Sequence, residues 1–279
     1  MRVPVGRQAS ITGLFDTESD MKIAISGKGG VGKTTLSAML ATAWHCRERN
    51  VIALDADPDA NLAAALGVSS KDEPTPLAQM HDLIEDRTGS ADNYGGYFKL
   101  NPKVDDIPDR YAVCMGSVRL LALGGVSKGG SGCICPATAL VKALLSHLLL
   151  GRDDAIVMDM EAGLEHLGRA TVESMDALLV VVDEGPWSIK TALRVRQLGR
   201  DIGMKKIFAV ANRLTGQVPA EQIRDRLEGM PLLGQLPRDL RLQSPMMQIV
   251  DDGTVQPSQA MLDHLGTIEG ILSDLAQRV

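Results

Sequence analysis

The segment Gly27–Thr34, with the sequence GKGGVGKT, constrains the fold of this chain more than any other feature. It matches the pattern G-x-x-x-x-G-K-[ST], whose glycines let main-chain N–H groups curl around phosphates without a clash from a Cβ atom. The motif requires a strand before it and a helix after it. An apolar run, Lys22–Ser26, precedes the segment, and apolar residues at helical spacing follow from Thr35. The segment therefore predicts a phosphate-binding loop in an α/β fold.

Beyond this loop, short apolar runs alternate with amphipathic helical patterns, which is typical of a parallel sheet flanked by helices on both faces. The runs predicted to be strands are Lys22–Ser26, Val51–Leu54, Leu120–Leu123, Ala155–Met158, Leu178–Val182, Ile207–Ala211 and Leu232–Leu236. The segments predicted to be helices are Thr35–Arg47, Ala137–Leu150, Ile189–Ile202 and the C-terminal stretch Met261–Val279. We predict a single-domain P-loop NTPase with a mostly parallel central sheet.

The domain is expected to span residues 21–279. Ser69–Arg110 interrupts the alternation with polar, Asp-rich and Gly-rich sequence, and we expect it to form surface helices and loops. Residues 1–20 lack the alternating pattern altogether. We expect them to be a disordered leader, or to precede a true start at Met21.

Charge and hydropathy limit the classes of partner. The chain has 29 basic and 35 acidic residues, a net charge of −6, whereas general nucleic-acid binding needs a basic surface. No apolar run is long enough to span a membrane, and the N-terminus lacks the apolar core of a secretory signal. We therefore expect a cytoplasmic protein that binds neither nucleic acid nor membrane.

Within the loop, each polar side chain has an expected role. Lys33 should neutralise the β- and γ-phosphate oxygens of ATP, and the Thr34 hydroxyl should ligate Mg²⁺. The helix that follows adds the positive end of its dipole. The other loop residues expected to contact ATP or ADP are Gly29, Gly30, Val31, Gly32 and Thr35.

Carboxylates follow two of the predicted strands. Asp55 and Asp57 follow the second strand, and Asp159 follows Ala155–Met158. In an open parallel sheet the carboxyl ends of the strands line the ligand crevice, so these carboxylates should lie near Mg²⁺ and an attacking water. The alternative for the Asp-Pro-Asp sequence is a plain turn.

The pair Cys133 and Cys135 is the most distinctive feature after the loop. One C-x-C cannot supply four ligands, but two copies facing each other across a two-fold axis can. Four thiolates suit Zn²⁺, Ni²⁺ or an iron–sulfur cluster, and buried apolar cysteines are the alternative. Cys46 and Cys114 are expected to be core residues.

Four segments carry a family resemblance, and they occur in this order: Lys28–Thr34, Asp55–Asp59, Gly132–Pro136 and Asp159–Arg169. The early Lys28 resembles the deviant Walker A loop of the MinD-like class of dimeric P-loop ATPases. The C-x-C sequence and the run EAGLEHLGR resemble the nickel-insertion ATPases of carbon monoxide dehydrogenase maturation. The resemblance extends from Met21 to about Leu275.

The resemblance implies roles for individual residues. Lys28 would reach across a dimer interface to the nucleotide of the partner and act in catalysis with Lys33. Asp57 would orient the attacking water. Asn212, at the end of Ile207–Ala211, would read the adenine edge, because an Asn offers the donor and acceptor that this needs; the alternative is an Asn that caps the loop. Arg213 beside it would also bind the nucleotide.

The resemblance also implies a cycle. ATP and Mg²⁺ would draw two subunits into a homodimer, and Cys133 and Cys135 of both would hold one divalent metal, nickel or zinc. Hydrolysis would separate the subunits and deliver the metal to apo carbon monoxide dehydrogenase.

Two other functions stay open at the level of sequence. One is a cell-division or partition ATPase, which would need an amphipathic membrane-binding tail or a basic DNA-binding face. The C-terminal stretch Met261–Val279 has few basic residues and disfavours the membrane version. The other is an iron–sulfur reductase resembling nitrogenase iron protein, in which Cys114 would act with Cys133 or Cys135.

Overall fold

Each of the apolar runs predicted to be a strand lies in one eight-stranded sheet. The computed structural model describes residues 21–89, 98–124, 135–151, 154–164, 171 and 174–279. The expectations for residues 1–20 and for Cys133 lie outside the described residues.

The strands are β1 Lys22–Gly27, β2 Val51–Ala56, β3 Val113–Met115, β4 Val118–Ala122, β5 Ala155–Met160, β6 Ala177–Val182, β7 Ile207–Leu214, β8 Leu232–Pro237, β9 Met247–Ile249 and β10 Val255–Pro257. The α-helices are α1 Lys33–Cys46, α2 Leu62–Leu66, α3 His81–Thr88, α4 Ile107–Tyr111, α5 Pro136–Gly151, α6 Pro186–Asp201, α7 Ala220–Arg226 and α8 Gln259–Ala276. Short 3₁₀ helices occupy Leu77–Gln79 and Leu240–Gln243.

The strand order is β3-β4-β2-β5-β1-β6-β7-β8, and every neighbouring pair is parallel except β3 and β4. β1 therefore lies near the centre of the sheet, between β5 and β6. The register of β2 on β5 sets Asp55 beside Asp159, and the register of β1 on β6 sets Gly27 beside Val181. The carboxyl ends of these strands form one edge of the sheet.

Successive side chains of the central strands point to opposite faces, and each face carries its own core. Ile23 and Ile25 of β1 belong to the core that includes α1 and α8, whereas Ala24 belongs to the core that includes α5 and α6. Because both faces are covered, the central strands are mostly apolar, and the polar residues Asp55 and Asp159 lie toward their carboxyl ends. The predicted mostly parallel α/β fold with helices on both faces is confirmed.

Several details differ from the sequence-based predictions. The antiparallel edge strand β3 and the small hairpin β9–β10 were not predicted, because three-residue strands carry too little periodicity. The expectation that Cys46 and Cys114 are core residues is wrong, since both are exposed. Cys46 ends α1 and Cys114 lies on the edge strand β3, two positions at the margin of the described fold.

Candidate nucleotide-binding site

The loop between β1 and α1 depends on its glycines for geometric reasons. Gly27, Gly30 and Gly32 have φ values of 148°, 81° and 95°, in the region that side chains with a Cβ rarely adopt. A Cβ on Gly27 would lie 2.5 Å from the carbonyl oxygen of Val181, and one on Gly32 would overlap the side-chain amide of Asn212. The path of the backbone therefore requires glycine at these three positions of the loop.

The amino end of α1 is open toward the loop. Gly32 is the N-cap residue, and no side chain caps the helix. The first intrahelical bond runs from the N–H of Leu36 to the carbonyl of Gly32 at 3.0 Å, so the N–H groups of the preceding turn have no partner within the helix. Lys33 is buried at the start of this turn. N–H groups, helix dipole and lysine together make an anion site.

A pair of buried carboxylates lies beside this anion site. Asp159 is fully buried, and the Ser37 hydroxyl donates to its Oδ1 at 3.1 Å. Its Oδ2 is buried and, within the described residues, has no hydrogen-bond partner. Burial raises the pKa of Asp159 to about 7, with Asp55 adding to the rise, while hydrogen bonds from Thr34 and Ser37 and the charge of Lys33 oppose it. The charge of Lys33 does not offset the effect of burial on the pKa of this carboxyl.

The second carboxylate, Asp55, holds the turn that follows β2. Its Oδ2 accepts from the N–H of Leu62 at 2.9 Å, and its Oδ1 accepts from the N–H of Asp57 at 3.2 Å. Burial raises the pKa of Asp55 to about 6, against the lowering effect of these two bonds. Asp57 Oδ1 in turn accepts from the N–H of Asp59 at 3.1 Å. The segment therefore forms a turn, and the same turn directs Asp57 into the cleft described below.

Asn212 and Arg213 hold the phosphate loop from the side of β7. Asn212 donates through Nδ2 to the carbonyl of Val31 at 2.9 Å and accepts the N–H of Arg213 at its Oδ1 at 2.8 Å. Arg213 has a φ of 59° and donates through its guanidinium to the carbonyl of Gly30 at 2.5 Å. Both residues also line the cleft. Their described hydrogen bonds shape the loop, and contact with an adenine stays a prediction.

These parts surround a cleft of about 370 Å³. Its lining is Gly29, Gly30, Gly32, Lys33, Thr34, Thr35, Asp57, Asp59, Asn61, Asn212, Arg213, Pro237, Arg238, Asp239, Leu240, Leu242 and Gln243. Most of the predicted nucleotide-binding residues meet here. Val31, Asp55 and Asp159 are buried and do not line the cleft, and Asp159 is hydrogen-bonded to the lining residue Thr34. The wall formed by residues 237–243 was not predicted from the sequence, although it follows β8 at the same sheet edge, a position that indicates a ligand crevice.

Lys28 is exposed, whereas Lys33 is buried. Beneath the loop, the Ser26 hydroxyl donates toward the carbonyls of Glu161 and Gly163, at 3.3 and 3.2 Å. The segment after β5 is thereby fastened to the strand that carries the phosphate loop.

Cys135 immediately precedes α5, at the amino end of that helix. Its Sγ lies 3.0 Å from the Thr138 hydroxyl and accepts the Thr138 N–H at 3.4 Å. Burial raises the pKa of the thiol, but hydrogen bonds from Thr138 and Ala137 outweigh it, and the net pKa is lowered. Within the described residues, which do not include Cys133, no three His, Cys, Asp or Glu side chains are grouped as metal ligands. The Cys135 thiol therefore ionises more readily than an ordinary thiol, and its predicted metal-binding role is untested.

Comparison with known proteins agrees with this geometry. Residues 22–248 match the family described as CobQ/CobB/MinD/ParA nucleotide binding domain. The chain is 41% identical to the carbon monoxide dehydrogenase accessory protein CooC of Rhodospirillum rubrum over 262 residues, which cover 90% of this chain and 100% of that protein. It is 42% identical to an uncharacterized ATP-binding protein of Methanocaldococcus jannaschii over 223 residues, 78% of this chain and 86% of that one.

Among solved structures, the cell-division protein MinD of Aquifex aeolicus superposes with a TM-score of 0.60 at 24% identity, covering 92% of this chain and 96% of that one. At this identity the likeness supports the fold alone. In the part of the chain that the structure describes, no helix has the length and apolarity needed to cross a membrane.

Proposed function

Because the chain belongs to the CobQ/CobB/MinD/ParA family of nucleotide-binding domains, we propose that it is an ATP-hydrolysing accessory protein for carbon monoxide dehydrogenase. The cleft supports the ATPase part: a glycine loop, a buried lysine and a helix N-terminus face a pair of buried carboxylates. The similarity to CooC, which extends over the full length of that protein, supports the choice of client.

The nucleotide enters with its phosphates toward the start of α1. Main-chain N–H groups of the loop and of the first helical turn donate to the phosphate oxygens, and Lys33 neutralises the β- and γ-phosphates. Asp57 lines the cleft and orients a water for in-line attack on the γ-phosphate. Most of the rate enhancement comes from positioning the reactants and stabilising the charge of the transition state, because the protein forms no covalent bond to the transferred phosphoryl group.

The residues around Asp159 fit Mg²⁺. Its buried Oδ2 lacks a partner within the described residues, and the Thr34 hydroxyl and Asp55 lie on the same side of the loop. Hydroxyl and carboxylate oxygens are ligands that Mg²⁺ prefers. Thr34, Asp55 and Asp159 would hold the ion directly or through water, and the bound ion would neutralise charge that develops on the phosphates.

A homodimer completes the proposal. The exposure of Lys28 leaves it accessible to the nucleotide of a second copy. Cys133 and Cys135 of the two copies together supply four thiolates for one divalent cargo ion, nickel or zinc. ATP must favour the dimer over the monomer more strongly than ADP does, since only such a difference lets hydrolysis separate the subunits and release the cargo.

The test is metal stoichiometry. Protein is purified without chelator, loaded with Ni²⁺ or Zn²⁺ in the presence of Mg-ATP, and analysed for metal per chain. We expect half an ion per chain in the wild type and none in the double variant Cys133→Ser with Cys135→Ser. Unchanged stoichiometry in the double variant would exclude the cysteine site. The exposed pair Cys46→Ser with Cys114→Ser is the matched control and should bind metal as the wild type does.

A further inference from the structure

The cleft has two ends of different chemistry. One end contains the phosphate loop and the start of α1, and the other is the wall of residues 237–243 together with Asn212 and Arg213. With the phosphates fixed at the loop, the ribose and base must extend toward this wall. The wall contains Pro237, Leu240 and Leu242, which offer apolar surface, beside polar side chains that can contact a sugar or a base edge.

The wall has little support from the sheet. β8 is an edge strand, and just beyond it the N–H of Arg238 donates to the carbonyl of Leu214 at 2.8 Å. The chain then turns into the 3₁₀ helix Leu240–Gln243, and Leu240 is 63% exposed. Buried apolar contact at Leu242 anchors only the end of the turn. Other contacts must therefore hold the middle of the wall in place.

A polar cluster supplies that support. Asp239 caps the 3₁₀ helix by accepting the N–H of Arg241 at 2.9 Å, and it accepts from the Arg241 guanidinium at 2.6 to 3.1 Å. Arg241 also donates to Asp263 of α8 at 2.6 Å. Nε2 of His264, also on α8, lies 3.1 Å from the Asp239 carboxylate, and an ionised carboxylate only accepts, so this nitrogen carries the proton.

The cluster joins a cleft wall to the core. His264 is buried, and α8 packs on β8, where Ile271 fills the space beside Gly234. The Asp239 carboxylate is already hydrogen-bonded to Arg241 and His264. We therefore expect Asp239 to affect a ligand by keeping the wall in position. We call Asp239, Arg241, Asp263 and His264 the brace. Charge-assisted bonds of this kind are about twice as strong as neutral ones.

We propose that the brace sets the shape of the wall that receives the base and ribose, so that His264 and Arg241 are positioning residues for the nucleotide. The inference rests on the proposed function, since it assumes that ATP occupies the cleft. It predicts that the brace matters for ligands with a base and not for a bare polyphosphate, which reaches only the loop.

The experiment compares the affinities of Mg-ATP and of magnesium tripolyphosphate by calorimetry. For His264→Ala we expect ATP to bind about tenfold more weakly and tripolyphosphate to bind as it does to the wild type. His264→Gln keeps a donor near the same position and should restore most of the ATP affinity. Arg241 is largely exposed, so Arg241→Ala keeps the test possible if the histidine variant fails to fold, and it should show the same split.

Arg278→Ala is the control, because it breaks an ion pair with Asp274 on the same helix away from the cleft. If the brace variants lose affinity for ATP and for tripolyphosphate equally, the substitutions damage the fold in general. If they lose affinity for neither ligand, the wall does not depend on the brace. Either result overturns the inference. If the wild type binds tripolyphosphate but not ATP, or binds neither, the proposed function itself fails.

Discussion

Asp159→Asn should make the protein more stable in the absence of magnesium while removing its activity. The buried Asp159 has a pKa of about 7, raised by burial from 3.8. A folded-state pKa above the unfolded one means that stability is lost as pH rises through the window between them. The folded-state pKa is about 3 above the unfolded one. At about 1.4 kcal/mol per pKa unit, the ionised Asp159 lowers the free energy of unfolding above pH 7 by about 4 kcal/mol.

Asp159→Asn removes this charge and regains that stability, but the new side chain offsets part of the gain. The new amide places an N–H₂ group where Oδ2 lacks a partner, and a buried unsatisfied donor costs about 1–3 kcal/mol. The net gain is about 2 kcal/mol, or about 4–8 °C in melting temperature for a domain of this size. The gain should be largest near pH 8 and shrink toward pH 5, where the wild-type carboxyl is protonated.

The assay is thermal unfolding at pH 5 and pH 8, with and without Mg-ATP, together with phosphate release. Saturating Mg-ATP at about 100 times its Kd should stabilise the wild type by about 2.7 kcal/mol and the variant far less. Phosphate release should fall on the order of a hundredfold or more. Asp154→Asn is the control: it weakens the ion pair with Arg119 and should lower the melting temperature while leaving turnover intact. If Asp159→Asn melts below the wild type at pH 8 without magnesium, the reasoning is refuted.

Three further perturbations follow from the same geometry. Gly32→Ala should weaken ATP binding, measured by calorimetry, at least tenfold, because a Cβ at this position overlaps the side chain of Asn212. Gly203 has a similar φ but lies in open space, so Gly203→Ala is the control and should leave ATP affinity unchanged. Lys28→Ala should abolish ATP-dependent dimerisation in light scattering but not nucleotide binding, and dimerisation at wild-type levels would contradict the cross-subunit role. Thr138→Val should slow alkylation of Cys135 severalfold at pH 7, because it removes a hydrogen bond that lowers the thiol pKa. The exposed thiols of Cys46 and Cys114 should react as before.

Local chemistry explains which parts of the site were predictable from sequence. The phosphate loop could be identified because its glycines and lysine are consecutive residues with one structural purpose. Asp55 and Asp159 are far apart in sequence, yet parallel strands bring their carboxyl ends together, so their proximity followed from the predicted fold. The central strands were also predictable, because burial on both faces leaves a continuous apolar run.

Features that depend on tertiary arrangement were missed. The wall at residues 237–243 and its brace join a turn after β8 to α8, and no local pattern in either segment indicates the other. The exposure of Cys46 and Cys114 depends on what covers a helix end and a sheet edge, which composition does not reveal. Asn212 was assigned to the adenine by resemblance, whereas its described bonds hold the phosphate loop.

Titration of Mg-ATP into the wild type and into Lys33→Ala, followed by calorimetry, tests the central claim most directly. Lys33 is buried at the start of α1, where the phosphates are expected to bind. We predict saturable binding of one nucleotide per chain in the wild type and a loss of affinity of at least a hundredfold in the variant, or about 2.7 kcal/mol. No heat of binding in the wild type, or equal affinity in the two proteins, would contradict the account.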